Sequence, residues 1–121
     1  MAKRILIADD HQEIRQLIVE LLEEQGCETV QASDTQAIFD EIARVRPDLL
    51  ILDVNMPGDG GIAALKAIRE DRNLDGMRVV ILTGSTDLAP EWLREIGADA
   101  LLPKPFQVDE LNSTVRELLA G

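Results

Sequence analysis

A chain of 121 residues suffices for one domain whose single core needs neither disulfides nor a structural metal, and its lone cysteine, Cys27, cannot form an internal bridge. Twelve basic against 23 acidic residues leave a net charge of −11, which opposes direct nucleic-acid binding because DNA and RNA are polyanions. No stretch approaches the roughly 18 apolar residues of a membrane span, and the apolar part of MAKRILIADD is too short for a signal peptide, so the chain is read as cytoplasmic, with no membrane insertion.

In chain order, Arg4 to Ala8 (RILIA) is a first apolar run that ends on Asp9 and Asp10. Ile14, Leu17, Ile18, Leu21 and Leu22 follow at helical spacing; Asp10 and Glu13 resemble a capping box, and Gly26 is a stop. Cys27 to Gln31 reads as a short strand holding an inert buried thiol. Ser33 and Gln36 resemble a second capping box, opening a helix through Ala37, Ile38, Ile42 and Val45 that Pro47 ends.

The central stretch is DLLILDVNMPG, Asp48 to Gly58. Leu49 to Leu52 are too few for a helix and lack polar alternation, so they predict a strand buried on both faces. That strand stops on Asp53, and the loop after it is broken by Pro57, Gly58, Gly60 and Gly61. A helix from about Gly61 to Asp71 turns Ile62, Leu65 and Ile68 inward, and NLDG reads as a loop. Val79 to Leu82 is a fourth buried run, ending on Thr83, Gly84 and Ser85. Pro90 suits the first position of a short helix, EWLREI, closed by Gly97. Ala98 to Leu102 is the fifth strand, ending in PKPF, and a last helix aligns Val108, Leu111, Val115 and Leu118.

Five strands alternating with five helices predict an α/β fold with three layers, a doubly wound parallel sheet with right-handed crossovers. Pro103 lacks the N–H that a central strand needs, which places the fifth strand at an edge. The order is then the flavodoxin-like 2-1-3-4-5, and the crevice opens where strands 1 and 3 end side by side.

In that order Asp9 and Asp10 meet Asp53. Carboxylates about 5 Å apart repel by roughly 3 kcal/mol per pair at an effective dielectric of 20. A hard divalent cation with oxygen ligands relieves this, and Mg2+ suits it because it accepts carboxylates, a carbonyl such as that of Asn55, and retained water. Thr83 offers a hydroxyl, Gly84 an unobstructed backbone N–H, and Lys104 a cation on a flexible stem. With a metal they form a cradle for a phosphoryl group. The Lys104–Pro105 bond is a cis candidate, since cis costs little before proline.

Asp9-Asp10, Asp53, the N-M-P-G-x-G-G loop from Asn55 to Gly61, Thr83-Gly84 and Lys104-Pro105-Phe106 stand at successive strand ends. Across essentially the whole chain, 1–121 as a single domain, this pattern resembles the receiver domains of two-component response regulators. The resemblance implies that Asp53 accepts a phosphoryl group from a histidine kinase or histidine phosphotransfer protein. It implies Mg2+ held by Asp10, Asp53 and the Asn55 carbonyl with Asp9 assisting through water, and phosphoryl contacts from Thr83 and Lys104. Such a domain is a signalling module whose only catalysis is its own phosphorylation and dephosphorylation. Its signal would pass through the face of helix 4, strand 5 and helix 5 to a downstream protein or to a fused output domain absent from this chain. Thr83, Gly84, Leu101 and Trp92 are the expected readout residues. Leu101 stands where the family usually has Tyr or Phe, so the aromatic half of the switch is missing.

Three other readings compete with this one. A haloacid-dehalogenase-like phosphohydrolase wants a second Asp two residues after its nucleophile, where this chain has Asn55. An FMN carrier would meet repulsion from Asp9 and Asp10 at its phosphate loop and has only Trp92 to stack a flavin. A receiver-like module that no longer takes phosphate would not need all the reactive positions.

Overall fold

The structure is a computed structural model describing residues 2–56, 60–84 and 89–120. Five strands, β1 (Arg4–Ala8), β2 (Glu28–Ala32), β3 (Leu49–Asp53), β4 (Arg78–Thr83) and β5 (Ala100–Pro103), alternate with α1 (Gln12–Glu23), α2 (Thr35–Val45), α3 (Gly60–Glu70), α4 (Pro90–Glu95) and α5 (Val108–Ala120). All strand pairs are parallel and the order is β2-β1-β3-β4-β5, with Pro103 on an edge strand. Among the described residues no helix is long and apolar enough to cross a membrane.

Alternation along the central strands divides the core in two. Leu6, Leu50, Leu52, Val79 and Ile81 pack with Ile38 and Ile42 of α2, Leu65 and Ile68 of α3 and Leu93 of α4. Ile5, Ile7, Leu49, Ile51, Val80, Leu82 and Leu102 pack with Ile18, Val19 and Leu22 of α1 and Leu111 and Val115 of α5. Every residue of β3 is buried, which is why that strand carries no polar alternation. Each fully buried Leu or Ile contributes about 1.5–3 kcal/mol relative to exposure. The layers are therefore α1 and α5 on one face of the sheet, and α2, α3 and α4 on the other.

Several expected boundaries move. The first cap is His11, with no side-chain capping bond, because Asp9 Oδ1 accepts the His11 backbone N–H at 2.8 Å and the acids face the strand end instead. At α2 the cap is Asp34, which accepts from the Ala37 N–H at 2.8 Å; Ser33 lies one residue too early. The polar RNL stretch forms a single 3-10 turn, Arg72–Leu74, capped by Asp71. Leu17 and Val108, expected to face inward, are 45% and 42% exposed, since the sheet-facing stripes are Ile18/Val19/Leu22 and Leu111/Val115. Cys27 is half-buried just before β2, and desolvation pushes its thiol pKa up, keeping it protonated.

The start of α3 lies directly under the end of β3. A Cβ on Gly61 would stand 2.5 Å from the Asp53 carbonyl oxygen and 2.8 Å from the Val54 Cα, and backbone cannot yield as a side-chain tip can. Gly61→Ala should therefore lower stability by about 1–3 kcal/mol, the cost of overpacking, read as a drop in Tm. An unchanged Tm would show that α3 can shift away from β3.

Candidate functional site at the carboxyl end of the sheet

Residues 5 and 7 of β1, 49 and 51 of β3 and 102 of β5 point to the α1/α5 side. Continuing that alternation past each strand end brings Asp9, Asp53 and Lys104 to the same side of the sheet. The contacts agree with this parity. Asp9 and Asp53 are fully buried, and the Lys104 Nζ lies 3.0 Å from Asp9 Oδ2 and 3.0 Å from Asp53 Oδ2. The contact to Asp53 has hydrogen-bond geometry, and the contact to Asp9 Oδ2 is an ion pair of the same length. Burial alone would lower the Lys104 pKa, but bonds and charge from Asp9 and Asp53 together outweigh it and raise the pKa.

The other Asp53 oxygen, Oδ1, accepts the Asn55 backbone N–H at 3.0 Å, so the turn after β3 fixes the carboxylate plane. Val54 continues the ladder by donating to the Leu82 carbonyl at 3.2 Å. On β4, Thr83 is half-buried opposite Pro103, and its carbonyl accepts the Lys104 N–H at 3.0 Å. Gly84 follows, its Cβ position 3.6 Å from the Lys104 Cβ. The Lys104–Pro105 peptide bond is cis. Pro57, Gly58 and Ser85 lie outside the described residues.

Two members of the site were missed in the sequence. His11 places Nδ1 3.1 Å from Asp9 Oδ1 and 3.1 Å from Asp10 Oδ1. Arg15 donates from Nη1 to the Asp9 carbonyl at 2.8 Å and from Nε to Gln31 Oε1 at 3.0 Å, tying the strand-end turn to α1 and β2. Both had a signal: His11 directly follows two strand-end acids, and Arg15 sits one helical turn beyond it. Trp92 and Leu101 are not in this cluster. Trp92 is 37% exposed with the Lys66 ammonium 5.5 Å from its ring centroid, linking α4 to α3, and half-buried Leu101 packs on the α2/α3/α4 side.

The site fits a divalent cation. Ligand atoms of Asp9, Asp10, His11 and Asp53 lie within 4.8 Å of one another, and the two buried acids in that group, Asp9 and Asp53, share among the described residues only the Lys104 ammonium as a cationic partner. Hard oxygen donors in this number suit Mg2+.

Because Lys104 is the cation between two buried acids, Lys104→Met should cost about 3 kcal/mol in metal-free buffer, the lower part of the range for orphaning one side of a buried pair. Mg2+ should restore more of that loss than it adds to wild type, since the cation replaces the missing charge; equal metal-induced Tm shifts in the two proteins would contradict this. The raised lysine pKa sets the pH window. The stabilisation is fully present below the unfolded value of 10.5 and is lost as pH rises through the higher folded value, so the difference between wild type and Lys104→Met should shrink only in strong alkali.

Comparison with known proteins places this geometry. Residues 5–116 match the model of the response regulator receiver domain. The chain is 38% identical over 122 residues to sporulation initiation phosphotransferase F of Bacillus subtilis, covering 98% of this chain and 95% of that protein. It is 34% identical to the DNA-binding response regulator MtrA of Mycobacterium tuberculosis over 98% of this chain, but spans only about half, 51%, of that longer protein. Among solved structures, the chemotaxis response regulator CheY4 of Vibrio cholerae superimposes with a TM-score of 0.87 at 30% identity, over 98% of this chain and 99% of that one. With β2-β1-β3-β4-β5 order and an acid cluster at the carboxyl end of β1 and β3, the chain belongs to the receiver domains of two-component response regulators.

Proposed function

We propose that residues 1–121 act as one receiver unit that accepts a phosphoryl group on Asp53 from a histidine kinase or histidine phosphotransfer protein. The observation that carries this reading is the Lys104 ammonium held 3.0 Å from both buried carboxylates, Asp9 and Asp53. A buried carboxylate that is oriented by one backbone N–H and paired with one movable cation is a nucleophile held ready. Its near full-length relative is named a phosphotransferase, which supports transfer of the group onward.

In this reading an Asp53 carboxylate oxygen forms a bond to phosphorus as the bond from phosphorus to the donor's histidine nitrogen breaks, that nitrogen leaving with the electron pair. Asp10, Asp53 and the Asn55 carbonyl would hold Mg2+, with Asp9 assisting through water, and the bound cation would supply charge neutralisation at the phosphoryl oxygens. Lys104 then exchanges its carboxylate partners for a phosphoryl oxygen, a charge-assisted bond of the same kind. Thr83 supplies its hydroxyl and Gly84 a backbone N–H from the end of β4. Catalysis is limited to this self-modification and its hydrolysis.

The response is proposed to reach a downstream protein, or an output domain fused beyond this chain, through α4, β5 and α5. Trp92 on α4 supports this as an exposed aromatic anchor. Leu101 in place of an aromatic makes the response backbone-led, because a leucine rotamer changes less surface than a swinging ring. A net charge of −11 favours protein over nucleic-acid partners.

The test is intact mass after treatment with acetyl phosphate and Mg2+. Wild type should gain one phosphoryl mass and Asp53→Asn none; a variant that still gains it at the wild-type rate would move the acceptor elsewhere. Thr83→Ala should still be phosphorylated but blunt the Trp92 fluorescence change on beryllofluoride binding. A full Trp92 response in that variant would remove Thr83 from the readout.

A further inference from the structure

We infer that Arg15 is a positioning residue for phosphoryl transfer at Asp53, acting from α1 through the turn that carries Asp9 and Asp10. The inference rests on the reading of Asp53 as the phosphoacceptor, and it adds a group that touches neither the phosphoryl donor nor the reacting oxygen.

The bonding of Arg15 is unlike that of the other bound arginines. Among the described residues Arg4, Arg44, Arg69 and Arg78 each pair with a carboxylate, whereas half-buried Arg15 directs its donors to neutral oxygens. Its Nη1 donates to the Asp9 carbonyl at 2.8 Å and its Nε to Gln31 Oε1 at 3.0 Å. A guanidinium used in this way serves geometry, since its planar fork meets two acceptors in a single pose.

The register of the sheet shows what that geometry is. β1 and β2 pair in parallel with Ala8 opposite Ala32. Glu28 N–H donates to the Lys3 carbonyl at 2.8 Å at one end, and Asp9 N–H donates to the Ala32 carbonyl at 3.2 Å at the other. With every second residue of β2 facing β1, the next rung would run from residue 34 to the Asp9 carbonyl. β2 has ended at Ala32, however, and Asp34 stands as the cap of α2. The Asp9 carbonyl is left beyond the ladder, and Arg15 supplies the missing donor while reaching back to β2 through Gln31.

The turn after Asp9 has little else to hold it, because α1 begins on His11 without a side-chain capping bond. Asp9 Oδ1 accepts the His11 N–H at 2.8 Å, and the Arg15 N–H closes on the His11 carbonyl at 3.1 Å. Arg15 thus grips the segment twice, with its side chain at residue 9 and its backbone at residue 11. The direction of the Asp9 backbone sets where its carboxylate goes, and Asp9 Oδ2 is one of the two oxygens that hold the Lys104 ammonium at 3.0 Å. A loosened turn shifts Asp9 and Asp10 relative to Asp53, and a misplacement of about 1 Å in a reacting site costs up to about a hundredfold in rate.

Arg15→Lys keeps the positive charge and loses the fork; Gln31→Ala keeps the arginine and loses its anchor on β2. The experiment uses the full chain with acetyl phosphate and Mg2+, well below the Tm of every variant, and reads two rate constants by intact mass. One is the gain of the phosphoryl group. The other is its hydrolysis after the donor is removed, in which a water oxygen bonds to phosphorus as the bond to the Asp53 oxygen breaks and inorganic phosphate leaves. Donor binding enters only the first, whereas the acid turn serves both. Arg15→Lys is expected to lower both constants at least about tenfold. Gln31→Ala should lower both by about threefold, and the double variant should be no slower than Arg15→Lys alone, because the two side chains act through one bridge. Wild-type rates beside a lowered Tm in Arg15→Lys would make Arg15 purely structural and overturn the inference. A fall in phosphorylation alone would make it a donor contact, and multiplied losses in the double variant would separate it from Gln31; either result overturns the inference as well. A wild type that gains no phosphoryl mass would instead overturn the reading of Asp53, and this inference with it.

Discussion

The arrangement depends on two carboxylates that are wholly out of water, Asp9 and Asp53, and on the single ammonium that makes them tolerable. A buried charge without a partner is among the most costly features a fold can carry. Here the partner comes from a different strand end, so the pair can exist only if β1, β3 and β5 finish at the same level and face the same way. The sheet register meets that demand: Ala8 stands opposite Leu52, Asp53 opposite Leu82, and Leu82 opposite Leu102.

The same electrostatic requirement explains why the site is open to exchange. A lysine between two acids is one solution to their repulsion, and a divalent cation is another. Asp10 and His11 lie on the solvent side, where a cation arrives, while Asp9 and Asp53 lie inside. Competition between a protein ammonium and a metal for one pair of oxygens is a natural coupling, because whichever cation holds the acids releases the other. Lys104 leads directly into the turn before α5, at the edge of the sheet farthest from β2.

Much of this was legible in the sequence, for reasons that can be named. LLILD is buried on both faces, and no helix of five residues would satisfy that pattern. Pro103 marked the edge strand, and the acids at the ends of β1 and β3 marked the site, since strand order alone makes those ends neighbours. The failures are equally specific. An acid before a helix usually caps it, which is what Asp10 suggests, yet Asp9 uses its oxygen on the His11 N–H and neither acid caps α1. Ser33 and Asp34 both suit a cap, and local propensity cannot choose between adjacent candidates. His11 and Arg15 are hard to read from sequence because their contacts run to Asp9, Asp10 and Gln31, and side-chain direction at a turn is not a property of spacing. Leu17 and Val108 show the limit of periodicity, which gives the width of an apolar stripe but not which margin of it meets the sheet.

The far end of the same strands is built on the opposite principle. Arg69 of α3 donates to the carbonyls of Gly97 and Leu74 and to Asp99 Oδ2, at 2.9, 3.3 and 2.8 Å. That Asp99 oxygen also accepts the Val79 N–H at 2.8 Å, and Asp99 Oδ1 faces Arg78 at 3.6 Å. One guanidinium with three acceptors, each in a different segment, is a rigid joint because a planar fork satisfies several geometries only in one pose. It fixes the starts of β4 and β5 and the end of α4 against α3. The carboxyl end of β5 is tied instead to those of β1 and β3 by the Lys104 ammonium, a single point charge between two carboxylates. The same sheet thus carries a guanidinium joint at one end and an ammonium held between two carboxylates at the other. Beyond the carboxyl ends of β4 and β5 stand α4 and α5, where Trp92 and Val108 are exposed.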